Sequence, residues 1–125
     1  MLTRTGLIIA LAVAAMLIVG CGGTKYENAA SVISAAEKHK IDGCSNKLFG
    51  MIGATDGVDC NFNDGLSVEI YTFNGDAKSA CEKNRMCNEL LLEEPLAIRF
   101  TDNAMIWLGD QPKSVLDALI ADIED

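Results

Sequence analysis

The chain has 125 residues, half of them apolar, and carries 18 acidic against 10 basic side chains for a formal charge of −8. That balance argues against nucleic acid as a partner, because binding there depends on neutralising phosphates. It argues equally against a polybasic grip on anionic lipid, and an acidic surface is expected to be held off headgroups.

At the N-terminus Arg4 precedes an apolar run, Leu7–Val19, that ends Leu17-Ile18-Val19-Gly20-Cys21. A basic residue, a short apolar stretch and a small residue before the cut form the pattern of an exported, processed N-terminus. The run is 13 residues, short of the roughly 20 a membrane span needs. A cysteine directly after the small residue resembles a lipobox, in which signal peptidase II cuts before the cysteine and diacylglycerol is joined to its sulfur. The resemblance implies a signal peptide over 1–20, lipidation of Cys21 and attachment to the membrane through acyl chains. The mature chain would have 105 residues with nine basic and eighteen acidic side chains, enough for one domain with one core. Residues 21–26 read as a short tether. Gly22 in place of Asp resembles lipoproteins sent to the outer membrane of a Gram-negative cell; in a Gram-positive cell the same tether leaves the domain on the outer face of the plasma membrane.

The domain proper is expected over 27–125. Ala29, Val32, Ile33 and Ala36 fall on one helical face and predict a helix over about 27–40, with Glu27 in its first turn and Lys38, His39 and Lys40 in its last. Lys47–Ala54, Val58–Phe62 and Leu66–Phe73 read as three strands, separated by the turns Thr55-Asp56-Gly57 and Asn63-Asp64-Gly65. A second helix starts near Asn74-Gly75-Asp76 and ends between Arg85 and Leu92, before Pro95. Leu96–Thr101 and Ala104–Gly109 flank Asp102-Asn103 as a second hairpin, and a last helix opens at Pro112 with Val115, Leu116, Leu119, Ile120 and Ile123 as its buried stripe. The order α-βββ-α-ββ-α predicts an α+β domain: an antiparallel sheet of about five strands with helices on one face.

With Cys21 assigned to lipid, Cys44, Cys60, Cys81 and Cys87 remain, an even number suited to two disulfides in an oxidising compartment. The predicted layout favours Cys44–Cys87 with Cys60–Cys81, since a Cys81–Cys87 link within unbroken helix would span about 9 Å. No Cys-x-x-Cys pair is present and His39 is the only histidine, so neither zinc nor thioredoxin-type exchange is favoured and no metal or cofactor is expected.

Gly53-Ala54-Thr55-Asp56-Gly57 followed by Val68-Glu69-Ile70-Tyr71-Thr72-Phe73 resembles a set of small bacterial proteins, many of them lipoproteins, with a "GA-x-x-G … v-E-i-Y-x-F" stretch, a late strand pair around an Asn turn, and a final helix. That group carries no assigned activity, so the likeness implies a fold and no function.

Candidate chemistry is thin. Asp59-x-Asn61-x-Asn63 opens like an EF-hand loop, but Asp64 stands where its glycine is needed and Ile70 where its bidentate Glu is needed. A nucleophilic site needs a His to move the proton, and His39, the one available, reads as a solvated histidine near a helix end between two lysines. Adjacent Glu93 and Glu94 read as solvated. Trp107 and Met105 alternate with Ile106 and Leu108, so both faces of that strand are apolar. One face should meet the helices; core packing is the favoured reading for any one of these residues, and the other face, with Tyr71 and Phe73, is the best candidate for an exposed patch of the type that marks a partner site. The sequence therefore predicts a lipid-anchored, non-enzymatic binding or accessory module of the cell envelope, contacting an envelope protein or small ligand. An inhibitor or phage-type exclusion lipoprotein, and a thiol–disulfide redox protein, are the alternatives.

Overall fold

The computed structural model describes residues 25–62, 66–109 and 113–125. The predicted signal peptide, Cys21, the predicted turn Asn63-Asp64-Gly65 and residues 110–112 lie outside the described residues. The elements are α1 (Ala29–Ala35), β1 (Ile41–Asn46), β2 (Asp56–Phe62), β3 (Leu66–Thr72), α2 (Ala77–Lys83), α3 (Arg85–Glu93), β4 (Ile98–Thr101), β5 (Ala104–Trp107) and α4 (Lys113–Glu124), with single 3-10 turns at Gly50–Ile52 and Pro95–Ala97. The α+β class and the five-stranded sheet are as predicted; the strand order is β1-β2-β3-β5-β4, and every pair is antiparallel.

Packing begins earlier than the predicted boundary. The Lys25 N–H donates to Asp102 Oδ1 at 3.1 Å and Tyr26, which is buried, donates to Asn103 Oδ1 at 2.9 Å. Lys25 and Tyr26, which the sequence assigns to the tether, are therefore held against the β4–β5 turn. Asn28 caps α1 by accepting from the Ser31 N–H at 3.0 Å. The helix stops at Ala35 instead of reaching residue 40 because the N–H groups of Lys38 and His39 go to the Asp122 carboxylate, at 2.8 and 2.9 Å, and not to carbonyls of a continuing helix.

The first strand lies at 41–46, not 47–54. Asp42-Gly43 reads in the sequence as a helix stop; Gly43 instead takes φ +61° at the irregularity in the β1–β2 register between Asp42 and Ser45. A Cβ there would sit 2.6 Å from the Asn61 side-chain amide, which would have to turn away, and the positive φ itself favours glycine. The predicted turn at 55–57 moves back to the 3-10 turn, closed by Gly53 at φ +83°, and Asp56 and Gly57 belong to β2. The β2–β3 and β4–β5 pairings follow the predicted hairpins, with Asp102 at φ 54° in the second turn.

Helices cover both faces of the sheet, a correction to the one-faced arrangement. Cys60, Phe62, Val68, Ile70, Ala104 and Ile106 pack on one face with Val32 of α1 and Leu116, Leu119 and Ile123 of α4. Tyr71, Phe73, Met105 and Ile98 pack on the other with Ala77 and Cys81 of α2 and Cys87 of α3. The reason lies in β3 and β5, where alternate residues are large and apolar on both sides. Each such side chain gains about 1.5–3 kcal/mol on burial, so both faces draw a cover.

The second predicted helix is broken. Asn84, at φ −99° and ψ 125°, closes α2 and opens α3, and its side chain accepts from the Cys87 N–H at 2.9 Å. The break brings the Cα atoms of Cys81 and Cys87 to 5.0 Å, and the two are bridged. Cys44, now on β1, lies 4.0 Å from Cys60 on β2 and is bridged to it. The predicted pairing Cys44–Cys87 with Cys60–Cys81 is thus replaced by Cys44–Cys60 with Cys81–Cys87. It assumed a Cys44 ahead of the first strand and an unbroken helix.

Candidate binding face

The aromatic patch predicted to be exposed is largely covered. Tyr71, Phe73 and Met105 are buried beneath α2 and α3, and Trp107 is half-buried. These four residues do share one face, as alternation required, but it is a core face because α2 and α3 lie over it.

The cover is incomplete. Helix α3 runs from the Gly50–Gly53 turn, where Asn84 meets Gly53, to the end of β5, where the Trp107 indole donates to Glu94 Oε1 at 3.3 Å. It leaves open the corner of the same face formed by the middle of β1, the end of β2 and the start of β3. Ser45, Asn61 and Ser67 are exposed there, and Asp59 and Glu69 are half-buried. Asp59 stands directly opposite Glu69 across β2–β3, and Glu69 opposite Trp107 across β3–β5. Like charges directly opposed across strands repel. Two contacts offset this: the Tyr71 hydroxyl donates to Glu69 Oε1, and Lys47 Nζ lies 3.7 Å from Glu69 Oε2. Burial, then the hydrogen bond and charge of Glu69, then the charge of Asp59 push the Tyr71 phenol well above its ordinary range, so it stays a donor. The result is a polar shelf holding two carboxylates, rimmed by Trp107. Asp59 and Asn61 sit in extended β2, not in an ion-binding loop. The sequence hid the shelf because it reads β2 and β3 as ordinary alternating strands.

His39 is committed elsewhere. Its Nδ1 lies 2.8 Å from Asp122 Oδ2, and its ring stacks on Phe62 at 5.5 Å between centroids. Burial raises the Asp122 carboxyl, but hydrogen bonds from His39 and from the Lys38 and His39 backbone outweigh it and hold the group below the usual carboxylate range. His39 and Asp122 thus clasp the end of α1 to α4. The sequence reading passed over Asp122, although it falls three positions after Leu119 on the buried stripe of the last helix.

At the end where the chain enters the domain, Tyr26, Glu27, Thr55, Phe73, Asn74 and Asn103 line a cleft of about 300 Å³, at the small end of the range for ligand pockets. Both N–H groups of the Asn103 amide are taken there, donating to the carbonyls of Tyr26 at 2.7 Å and Phe73 at 3.2 Å. Of the bridged cysteines, Cys44 is exposed while Cys60, Cys81 and Cys87 are buried. Among the described residues no group of three or more His, Cys, Asp and Glu is placed to hold a metal ion, and no helix is long and apolar enough to cross a membrane. No known protein family, curated protein or solved structure matches the chain.

Proposed function

We propose that this chain is an exported lipoprotein whose single domain serves as a non-enzymatic binding module of the cell envelope, presenting the Asp59–Glu69 shelf to a basic surface of a protein partner. The observation that carries this reading is the shelf itself. Two carboxylates are held face to face beside Trp107 on rigid strands, and a partner's Lys or Arg would relieve their repulsion and gain charge-assisted hydrogen bonds. The export half of the reading is supported by the lipobox-like Leu17–Cys21 segment and by two disulfides, which persist in oxidising compartments.

The test is cross-linking and pull-down of the lipidated protein from its own membrane, with wild type beside Asp59→Asn. One dominant partner, weakened at least about tenfold by the loss of that charge, is the expected result. A partner retained equally by both proteins would remove the shelf from the proposal, and a partner held through Glu27 or Asn74 would move the site to the cleft. The thiol–disulfide alternative draws its support from the exposed Cys44 alone. A bridge reduced only by strong reductant would dismiss it.

A further inference from the structure

Five large apolar residues are exposed among the described residues, and they divide between the two ends of the domain. Leu92 and Leu96 lie at the far end, around the close of α3. Leu48 (84% exposed), Met51 (60%) and Met86 (47%) gather at the other. Leu48 and Met51 belong to the β1–β2 connection, and Met86 follows the α2–α3 break, whose Asn84 touches Gly53. The Cys81–Cys87 bridge holds that break shut, so Met86 is presented on a fixed knob.

This end is also where the chain enters. Thr55, two residues after Gly53, lines the same cleft as Tyr26 and Asn103. Thr24 is the last residue before the described domain, and Cys21 stands four positions before Lys25. Four residues reach at most about 14 Å, about the width of three strand spacings. A lipid on Cys21 would therefore draw this end of the domain, and not the opposite one, against the bilayer. Lys47, Lys83 and Arg85 stand beside the three apolar side chains in the sequence. The same end also carries acidic groups: Glu69, paired with Lys47, Glu89, paired with Arg85, Glu82, and, around the cleft and the β4–β5 turn, Glu27, Asp56, Asp76 and Asp102. Apolar tips with long basic side chains beside them suit the headgroup boundary, where Lys and Arg stems lie along the acyl chains and their charges reach the phosphates.

We infer that Leu48, Met51 and Met86 form a second membrane contact, dipping into the lipid interface beside the anchor and fixing the domain's orientation on the bilayer. The inference rests on the proposed lipidation of Cys21. It also revises the expectation that the acidic surface holds the whole domain away from headgroups: the repelled part would be the remainder of the surface.

The test uses the full lipidated protein purified from its membrane and placed in phosphatidylcholine–phosphatidylglycerol vesicles with brominated acyl chains. Single tryptophans are introduced as Met51→Trp, Leu48→Trp and, at the far end, Leu96→Trp, each in a Trp107→Phe background whose circular dichroism matches the parent. Where that background fails to fold, the native Trp107 emission is subtracted instead. Quenching at 51 and 48 at least twofold stronger than at 96 is the expected result. Equal, weak quenching at all three positions, with diacylglycerol present on Cys21 by mass spectrometry, overturns this contact alone and leaves the apolar trio to a protein surface. A Cys21 without lipid overturns both the anchor and the contact built on it.

Discussion

Single residues hold the two ends of the chain to the domain. Asn103 accepts from Tyr26 and donates to two carbonyls from a site that is almost fully buried. Asn103→Ala would leave those backbone groups without partners and is expected to cost about 3 kcal/mol, read as a shift in denaturant midpoint at constant slope. Asn103→Asp should fare no better, since a carboxylate cannot donate to either carbonyl. Asp122 closes the other end. Its carboxyl titrates lower in the folded protein than the value of about 3.8 of an unfolded chain, so its contribution to stability is present above that value and lost as pH falls through the lowered one. Thermal melts of wild type and Asp122→Asn should therefore differ most near neutral pH and converge in strong acid; a gap that widens on acidification would refute the clasp. The partners of neither residue were legible in the sequence: Asn103 reads as one more turn former and Asp122 as one more helix acid, because the groups they hold lie 30 to 84 positions away.

Elements were legible wherever local rules governed them. The two hairpins, the last helix and the start of the N-terminal helix follow from turn chemistry and apolar spacing, each within a few residues. The failures share a cause: a long-range partner outbid the local preference. Asn84 looks like an ordinary interior position until the Cys81–Cys87 bridge and the Gly53 contact favour a break there. Gly43 looks like a helix stop until the Asn61 side chain claims the space over it. The bridges should also differ in behaviour. Loop-closure entropy assigns about 3 kcal/mol to Cys44–Cys60 and about 2 kcal/mol to Cys81–Cys87. The paired Cys→Ala variants should rank in that order by thermal melting. Exposure orders their reduction in the same way, because Cys44 is open to solvent and both partners of the other bridge are buried. Limited reductant followed by alkylation and peptide mapping should label Cys44 and Cys60 first.

At the scale of the whole molecule, composition foretold the class and misjudged the cover. An α+β domain with an antiparallel sheet was readable because alternation and turn residues are local. Helices on both faces were not, because nothing in a strand of apolar residues says which side a later helix will take. The excess of acidic over basic side chains remains a property of the assembled surface. Self-repulsion of that charge predicts a melting temperature that rises as salt shortens the Debye length from about 30 to about 8 Å; a flat response would mean the charges are already locally paired. The position of the Cys44–Cys60 bridge has a mechanical consequence for a domain held by its N-terminus. Tension applied from the N-terminal side would first strip Tyr26 from Asn103 and then unravel α1 and the start of β1, until it met Cys44. There the covalent link hands the load to Cys60 across a sequence separation of 16 residues. About 55 Å of chain is thereby withheld from extension, so a pull from that side would pass around the Gly50–Gly53 turn without stretching it.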